Sequence, residues 1–456
     1  MSPLPVAAKG TLPAAPRRPA ALQLAIRGRV VRLRGLRRAP RGPLWWLLVL
    51  GPGLIAANAG NDAGGIATYA SVGAKYGYDL LWMLLLITLS LAVVQEMAAR
   101  LGAATGRGLL DLIRERYGIR WALFAIGVVL LANGGVTISE FIGIRSALEL
   151  FGVSPWLSVP LAAAGLWWLV VRGRYGRVEH VFLAMTLVFF AYPIAAVLAH
   201  PDWGQVARHL LIPSVQLDPD YLMLFVATVG TTITPYMQLF QQSATVEKGV
   251  ARRYYRAERL DAYVGAGFSN LIAAFIIVAS AATLHVAGNT EVESAAEAAQ
   301  ALAPLAGPYA QALFGIGLLG ASLLAAAVLP LATAYSVCEA FGFRKGVNLD
   351  FRRAPVFLGL FTTLLVIGAL VALLPGVPVF ALLIAIQVLN GILLPVILVF
   401  MLRLINDPRL MGELANGRAY NLLAWATTLL LSALVAVLLA SLLLQALGLA
   451  GPGAPS

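Results

Sequence analysis

The sequence has few charged residues for its length. Only 12% of its 456 residues are Asp, Glu, Lys or Arg, whereas 60% are hydrophobic, and the mean hydropathy is +0.83. An average soluble domain carries about 25% charged residues. Because so few charges cannot cover a water-facing surface, the composition excludes a soluble enzyme and predicts an integral membrane protein.

Other features are also scarce or missing from the sequence. Cys338 is the single cysteine, so no intramolecular disulfide can form. No P-loop, nucleophile elbow or glycine-rich dinucleotide motif occurs, and the sequence therefore supports neither ATP-driven transport nor enzymatic activity. We expect no bound cofactor.

Acidic residues are absent from residues 1–41, which contain ten Lys and Arg residues. The whole chain has 33 basic and 21 acidic residues, so the rest of the chain is nearly neutral. The basic charge thus belongs to a tail and does not indicate nucleic-acid binding. We predict that residues 1–43 form a disordered cytoplasmic arm that contacts anionic lipids.

Residues 44–450 are predicted to form a transmembrane domain with eleven apolar spans, since about 20 residues cross a bilayer. Loops after spans 2, 4, 6, 8 and 10 are rich in Lys and Arg, and the intervening loops are not. This alternation predicts a plasma or inner membrane protein with a cytoplasmic N-terminus and an external C-terminus. The spans are 45–70, 79–102, 119–147, 155–172, 179–199, 221–246, 258–286, 309–338, 354–374, 378–402 and 420–447.

Span 1 contains one ionisable residue, Asp62, followed closely by Gly64 and Gly65. A carboxylate in mid-membrane costs at least about 2.5–3.5 kcal/mol. The glycines favour local unwinding, which releases backbone carbonyls, and a carboxylate beside carbonyls suits a hard cation. A packing patch of small residues with one buried, protonated Asp is the alternative.

Span 6 contains a second interruption at residues 230–236, where glycine, proline and hydroxyl side chains follow one another. Pro235 removes a backbone hydrogen bond, and Thr231 and Thr234 offer oxygen atoms nearby. A simple proline kink would also explain this segment. Paired with span 1, however, the break predicts an inverted repeat of spans 1–5 (45–199) and 6–10 (221–402), with span 11 (420–447) appended.

These segments resemble the Nramp family of divalent-metal transporters over most of residues 45–445. Asp62-Ala63-Gly64-Gly65 stands where the family has Asp-Pro-Gly-Asn, and Thr234-Pro235-Tyr236 stands where it has Met-Pro-His. The resemblance implies an all-α, LeuT-like fold. Further matching motifs are Gly51-Pro52-Gly53, Ala99-Arg100-Leu101-Gly102, Glu140-Phe141-Ile142-Gly143, Pro201-Asp202-Trp203 and Asp407-Pro408-Arg409-Leu410-Met411.

The resemblance also implies a metal site with two departures from the family. Asp62 is kept, but the family's ligand Asn is Gly65 and its ligand Met is Thr234. Loss of the soft thioether and of an amide leaves a roomier oxygen site, which suits hydrated Mg²⁺. This pattern is similar to the Nramp-related magnesium transporters.

Other site residues are carried over by position. The resemblance places the carbonyls of Ala59 and Thr231 and the side chain of Gln387 near the metal, although Gln387 has an equal alternative as a link between helices. The residues expected to line the site are Asn58, Gly64, Gly65, Pro235 and Tyr236.

The family's proton pathway is only partly present. Tyr236 replaces a family His, Thr137 replaces a family Asp, and Glu140 is retained. Because a phenol titrates near pH 10, we expect transport that is weakly coupled or uncoupled to protons. Glu140 is either a proton relay or the partner of Arg145 in a structural ion pair.

We therefore predict a monomeric importer of Mg²⁺ and Mn²⁺ that is not an enzyme. The alternatives are a proton-coupled Mn²⁺/Fe²⁺ transporter of the Nramp type, a LeuT-fold carrier of an organic cation or amino acid, and a membrane sensor that does not transport. Asp62 would be the charged ligand in either metal transporter.

Overall fold

The fold was derived from a computed structural model of the full chain. It describes the strands 22–26 and 29–33 and residues 61–172, 190–216, 218–247, 255–346, 349–376 and 378–447. The first part of predicted span 1, most of span 5, and the predicted site residues Asn58 and Ala59 lie outside the described residues.

The chain divides into two units, Met1–Leu48 and Val49–Ser456. In the first unit, β1 (Leu22–Ile26) pairs antiparallel with β2 (Arg29–Leu33). These ten residues carry regular structure where the sequence predicts disorder. The adjacent β-branched residues Val30 and Val31 favour an extended backbone. The prediction of disorder followed the basic composition of the arm and did not include this local preference.

The second unit consists of α-helices with short 3₁₀ and π segments in its described part. A π-helix occupies Ala281–His285, and 3₁₀ segments occupy Gln300–Leu302, Gly307–Tyr309 and Gly412–Leu414. The helices are α1 (Ala63–Tyr76), α2 (Leu81–Thr105), α3 (Leu109–Tyr117), α4 (Ile119–Glu149), α5 (Pro155–Arg172), α6 (Ala191–Leu198), α7 (Trp203–Leu211), α8 (Pro219–Thr232), α9 (Pro235–Glu247), α10 (Tyr255–Ser280), α11 (Ala295–Ala299), α12 (Ala303–Ala306), α13 (Ala310–Phe341), α14 (Pro355–Ala372), α15 (Val379–Ile405), α16 (Pro408–Met411) and α17 (Arg418–Ala446).

Nine helical segments of the described chain are long and apolar enough to cross a membrane. They correspond to predicted spans 2–4 and 6–11, and α1 and α6 are the described parts of spans 1 and 5. Large apolar side chains such as Trp156, Leu422 and Leu429 are more than half exposed, as lipid-facing residues are. The described structure is nearly all-helical, and its nine candidate spans confirm the predicted class of integral membrane protein.

One face of this unit joins loops that the charge alternation predicts to be external. Lys75 at the end of α1 pairs with Asp220 at 2.5 Å, and Tyr76 Oη donates to Asp218 Oδ2 at 2.8 Å. We call these two contacts the α1–α8 latch. It holds the C-terminal end of α1 against the N-terminal end of α8.

The opposite ends of the helices meet at loops that are predicted to be cytoplasmic. Arg116 pairs with Asp407 at 2.9 Å, which joins the loops before α4 and after α15. Gln242 Nε2 donates to the carbonyl of Arg107 at 2.8 Å, so α2 and α9 end at the same face. The contacts group these loops as the alternation predicts, and the assignment of one face to the cytoplasm stays a prediction.

Glycines let the central helices approach one another closely. A Cβ at Gly143 of α4 would lie 2.4 Å from the Cβ of Ala63 and 2.3 Å from Ser322 Oγ on α13. A Cβ at Gly230 of α8 would lie 2.0 Å from the carbonyl oxygen of Gln387 on α15. These contacts bring α1, α4, α8, α13 and α15 together where the two predicted helix breaks lie.

Candidate metal site

The first residue of the site is the N-cap of α1. Asp62 has an extended backbone, and its Oδ1 accepts a hydrogen bond from the Gly65 N–H at 2.6 Å. The helix therefore begins at Ala63, inside predicted span 1. Asp62 is 1% exposed, and its Oδ2 has no hydrogen-bond partner among the described residues. One oxygen of this buried carboxylate is thus available to a ligand.

Glu140 of α4 contacts the same helix start. Its Oε2 accepts a hydrogen bond from the Ala63 N–H at 3.4 Å, and its side chain lies beside Asp62. Glu140 is fully buried, and its Oε1 has no partner in the described structure. Arg145 instead pairs with Glu149 at 3.1 Å. The ion-pair interpretation of Glu140 is therefore wrong, because Arg145 is held at the end of α4.

The second helix break lies between α8 and α9. α8 ends at Thr232, Ile233 leaves the helical conformation at φ −119° and ψ 56°, and α9 begins at Pro235. Pro235 has no N–H to donate to the carbonyl of Thr231, four residues earlier. Thr234 lies in the break with no exposed surface, and its Oγ1 makes no hydrogen bond to any described residue.

The two breaks face each other. The side chain of Thr231 lies beside the Asp62 carboxylate. Tyr69 of α1 shares a hydrogen bond of 2.9 Å between its hydroxyl and Thr232 Oγ1, which ties α1 to the end of α8. Tyr236 is fully buried and lies near Asp62. The structure therefore brings together the carboxylate of the first break and the hydroxyl groups of the second.

Gln387 of α15 lies against the first turn of α1. A Cβ at Gly64 would be 1.9 Å from Gln387 Nε2, so the glycine lets this amide occupy its present position. Gln387 Oε1 accepts a hydrogen bond from Asn390 Nδ2 at 2.9 Å, and Asn390 Oδ1 has no partner in the described part of the chain. If the oxygen and nitrogen of both side-chain amides are exchanged, Gln387 donates to Asn390 instead, and the Gln387 oxygen is directed towards Gly64.

Three polar groups near the site were missed by sequence reasoning. Asn61 Nδ2 donates to Ser269 Oγ of α10 at 3.3 Å, and Asn390 donates to Gln387. The hydroxyl of Ser322 packs against Gly143. Asn61 adjoins Asp62, and Asn390 follows Gln387 by one helical turn. Their spacing from predicted site residues could therefore have placed both near the site. Ser322 is one of several hydroxyl side chains in α13, and nothing in the sequence distinguished it from the others.

The donor set of the site is made of oxygen atoms. Asp62, Glu140 and Thr234 each have a buried side-chain oxygen without a partner in the described chain. Within the same residues, no group of three His, Cys, Asp or Glu side chains converges as a closed metal site would require. Oxygen ligands with one or two carboxylates suit a hard divalent cation that keeps part of its water shell.

Solved structures share this fold. The chain matches MhsT in complex with L-phenylalanine at a TM-score of 0.56, with 15% identity over 89% of this chain and 99% of that one. It matches the Eremococcus coleocola manganese transporter at a TM-score of 0.71, with 22% identity over 91% of both chains. The predicted LeuT-like fold is confirmed.

Sequence comparison gives the family. The family described as natural resistance-associated macrophage protein-like matches residues 53–441. The divalent metal cation transporter MntH of Deinococcus radiodurans is 31% identical over 418 residues, which cover 89% of this chain and 92% of that protein. The chain belongs to the Nramp family.

Proposed function

We propose that this protein is a secondary transporter that moves divalent metal cations across the membrane through the Asp62 site. The unpartnered, buried Oδ2 of Asp62 is the observation that carries this proposal. It lies where two interrupted helices meet, the position at which LeuT-like folds place their substrates. The family and the name of the Deinococcus radiodurans relative support a metal ion as the substrate.

Mg²⁺ is proposed as a substrate together with Mn²⁺. Thr234 contributes a hydroxyl where the family has a thioether, and Gly65 has no side chain to offer, its backbone N–H donating to Asp62 Oδ1. A site without sulfur or imidazole gives transition metals no ligand that they prefer to oxygen. Mg²⁺ releases water reluctantly and is held by one or two carboxylates, which matches Asp62 with Glu140 beside it.

Transport is proposed to be weakly coupled or uncoupled to protons, driven by the cation gradient and the membrane potential. Tyr236 is fully buried where the family has a histidine, and Thr137 donates its hydroxyl to the Asn133 carbonyl at 2.7 Å. Neither side chain is a proton relay at neutral pH. These two positions support the proposal.

Proton-coupled Mn²⁺ transport is the second candidate function. The observation in its favour is Glu140, which lies beside Asp62 with one unpartnered oxygen. A cation that binds two adjacent buried carboxyls displaces a proton that one of them holds. Glu140→Gln separates the two candidates, because it abolishes coupled acidification without removing the Asp62 ligand.

Competition in proteoliposomes tests the proposed substrates. Mn²⁺ uptake by the purified protein should be blocked by millimolar Mg²⁺, and a pH dye inside the vesicles should record no stoichiometric acidification. Uptake of Mn²⁺ that ignores Mg²⁺ and acidifies the lumen would establish the second candidate. Absence of any metal uptake would leave a carrier of organic cations or amino acids, or a sensor, as the function of the fold.

A further inference from the structure

A row of buried polar side chains leads away from the helix break along α9. Thr234, Gln238, Gln241 and Thr245 follow one another at i, i+4, i+7 and i+11, which places them on one face of the helix. None of the four has exposed surface. We call this row the α9 polar stripe. It begins at the metal site and ends near the face where α2 and α9 terminate.

The side chains of the two glutamines in the stripe make no hydrogen bond to any described residue. Neither the oxygen nor the nitrogen of the Gln238 and Gln241 amides has a partner, and the same holds for Gln95 of α2. A buried unpartnered polar group costs about 1–3 kcal/mol. Three such amides in one region of a membrane protein therefore indicate groups kept for a ligand.

Gln95 faces the stripe because α2 and α9 run side by side towards the same face. A Cβ at Gly102 of α2 would lie 3.2 Å from the Cβ of Thr245 on α9. Two helical turns earlier on each helix, Gln95 and Gln238 stand at the same level. This register places the three unpartnered amides on the facing sides of the two helices.

We propose that Gln95, Gln238 and Gln241 line the route by which a hydrated divalent cation passes between the Asp62 site and the end of α9. This inference rests on the proposed function. Amides both donate and accept hydrogen bonds, so they can replace water molecules around a moving ion. They carry no net charge, so they do not hold a divalent cation as a carboxylate would.

Single leucine substitutions test the route. Gln95→Leu, Gln238→Leu and Gln241→Leu should each lower the maximal Mn²⁺ and Mg²⁺ uptake rate in proteoliposomes by about tenfold. Mn²⁺ binding, measured by calorimetry on the detergent-purified protein, should stay within about twofold of wild type, because the Asp62 site is intact. Gln445→Leu, at an exposed position on α17, is the matched control and should transport like the wild type.

Thermal unfolding separates a transport role from a structural one. Leucine removes an unpartnered buried amide, so the unfolding temperature of the three variants should not fall. A lower unfolding temperature together with lost uptake would show that the amides support the fold, and it would overturn the inference. Wild-type uptake rates in all three variants would also overturn it.

Thiol labelling gives a second measurement that does not depend on transport rates. Gln238→Cys and Gln241→Cys, each combined with Cys338→Ser, should react with a hydrophilic maleimide, and saturating Mn²⁺ should slow the reaction. Labelling that never occurs at either position would contradict a hydrated route. Wild-type protein that takes up neither ion would contradict the proposed function itself, whereas unaffected uptake in the variants contradicts only the route.

Discussion

At the scale of single residues, Asp62 combines a structural and a chemical role. One carboxylate oxygen caps α1 through the Gly65 N–H, and the other has no partner in the described structure. The cap fixes the carboxylate at the start of the helix, where Glu140 also contacts the backbone through Ala63. The charge of Asp62 and its position can therefore be tested separately.

The Asp62→Asn variant should retain the N-cap of α1 and lose metal binding. Asparagine caps helices as well as aspartate does, so the unfolding temperature should change little. Loss of the charged ligand should weaken Mn²⁺ binding by more than about 100-fold in calorimetry. Asp202→Asn makes the same change at the exposed N-cap of α7 and should bind Mn²⁺ like the wild type. Equal binding by wild type and Asp62→Asn would exclude Asp62 as the ligand.

Thr234→Met tests the origin of the ion preference. A thioether in the break supplies a soft ligand, which should shift the ratio of Mn²⁺ to Mg²⁺ affinity towards Mn²⁺ by roughly tenfold, or ~1.4 kcal/mol. The measurement is inhibition of Mn²⁺ uptake by increasing Mg²⁺. Thr234→Val, which lacks both hydroxyl and sulfur, is the matched control, and an unchanged ratio in Thr234→Met would contradict an ion preference set at this position.

At the scale of helices, the two breaks bring the ends of α1 and α8 together in two ways. Their inner ends meet at the candidate metal site, and their outer ends are joined by the α1–α8 latch. The two helices are therefore joined at both ends. The latch also contains a carboxylate outside the membrane-spanning segments, Asp218, whose ionisation gives it a pH dependence.

The latch should be insensitive to mild acid. Partial burial raises the pKa of Asp218, but hydrogen bonds from Tyr76 and from the backbone N–H groups of Asp220 and Tyr221 outweigh it, so the pKa lies below 3.8. Because the folded pKa is depressed, the ionised carboxylate stabilises the fold above about pH 5, and this contribution is lost as the pH falls below about 4. The difference in unfolding temperature between wild type and Asp218→Asn should be constant from about pH 5 to 8 and shrink towards about pH 3. A difference that grows on acidification would contradict this sign.

Gly143→Ala should disturb the contact of α4 with α1 and α13. The added Cβ would meet Ala63 and Ser322 at less than 2.5 Å, and overpacking of this kind costs about 1–3 kcal/mol. A lower unfolding temperature and weaker Mn²⁺ binding are expected together, since Ala63 follows Asp62. Gly127→Ala lies on the same helix with no atom within 4 Å of the new Cβ and should not be destabilised. Equal behaviour of the two variants would contradict close packing at Gly143.

The helix breaks could be predicted from sequence because glycine, proline and a lone acid act locally. Asp62 with its neighbouring glycines, and Pro235, predict a break in the helix from the local sequence alone. The neighbours of Glu140 could not be predicted, because the choice between Asp62 and Arg145 depends on how α4 packs against α1. The unpartnered state of Gln95 and Gln238 likewise depends on tertiary contacts, since the sequence shows only polar residues in apolar helices.

At the scale of the whole molecule, the α9 polar stripe forms a series of buried polar side chains that starts beside the Asp62 site and runs towards one face. At the opposite face, the α1–α8 latch joins the ends of α1 and α8. Charge alternation predicts that the α9 end lies on the cytoplasmic side. A cation that moves inward along this series would be driven by a negative internal potential, by ~2.3 kcal/mol per charge per 100 mV.

Mg²⁺ influx driven by membrane potential tests the central claim most directly. Proteoliposomes that contain a Mg²⁺-sensitive dye receive external Mg²⁺ at equal internal and external pH, and a potassium gradient with valinomycin sets a negative internal potential. The wild-type protein should import Mg²⁺ at a rate that rises with the potential, and Asp62→Asn should not. No Mg²⁺ influx by wild type at any potential, in vesicles that still take up Mn²⁺ when a proton gradient is imposed, would contradict the account.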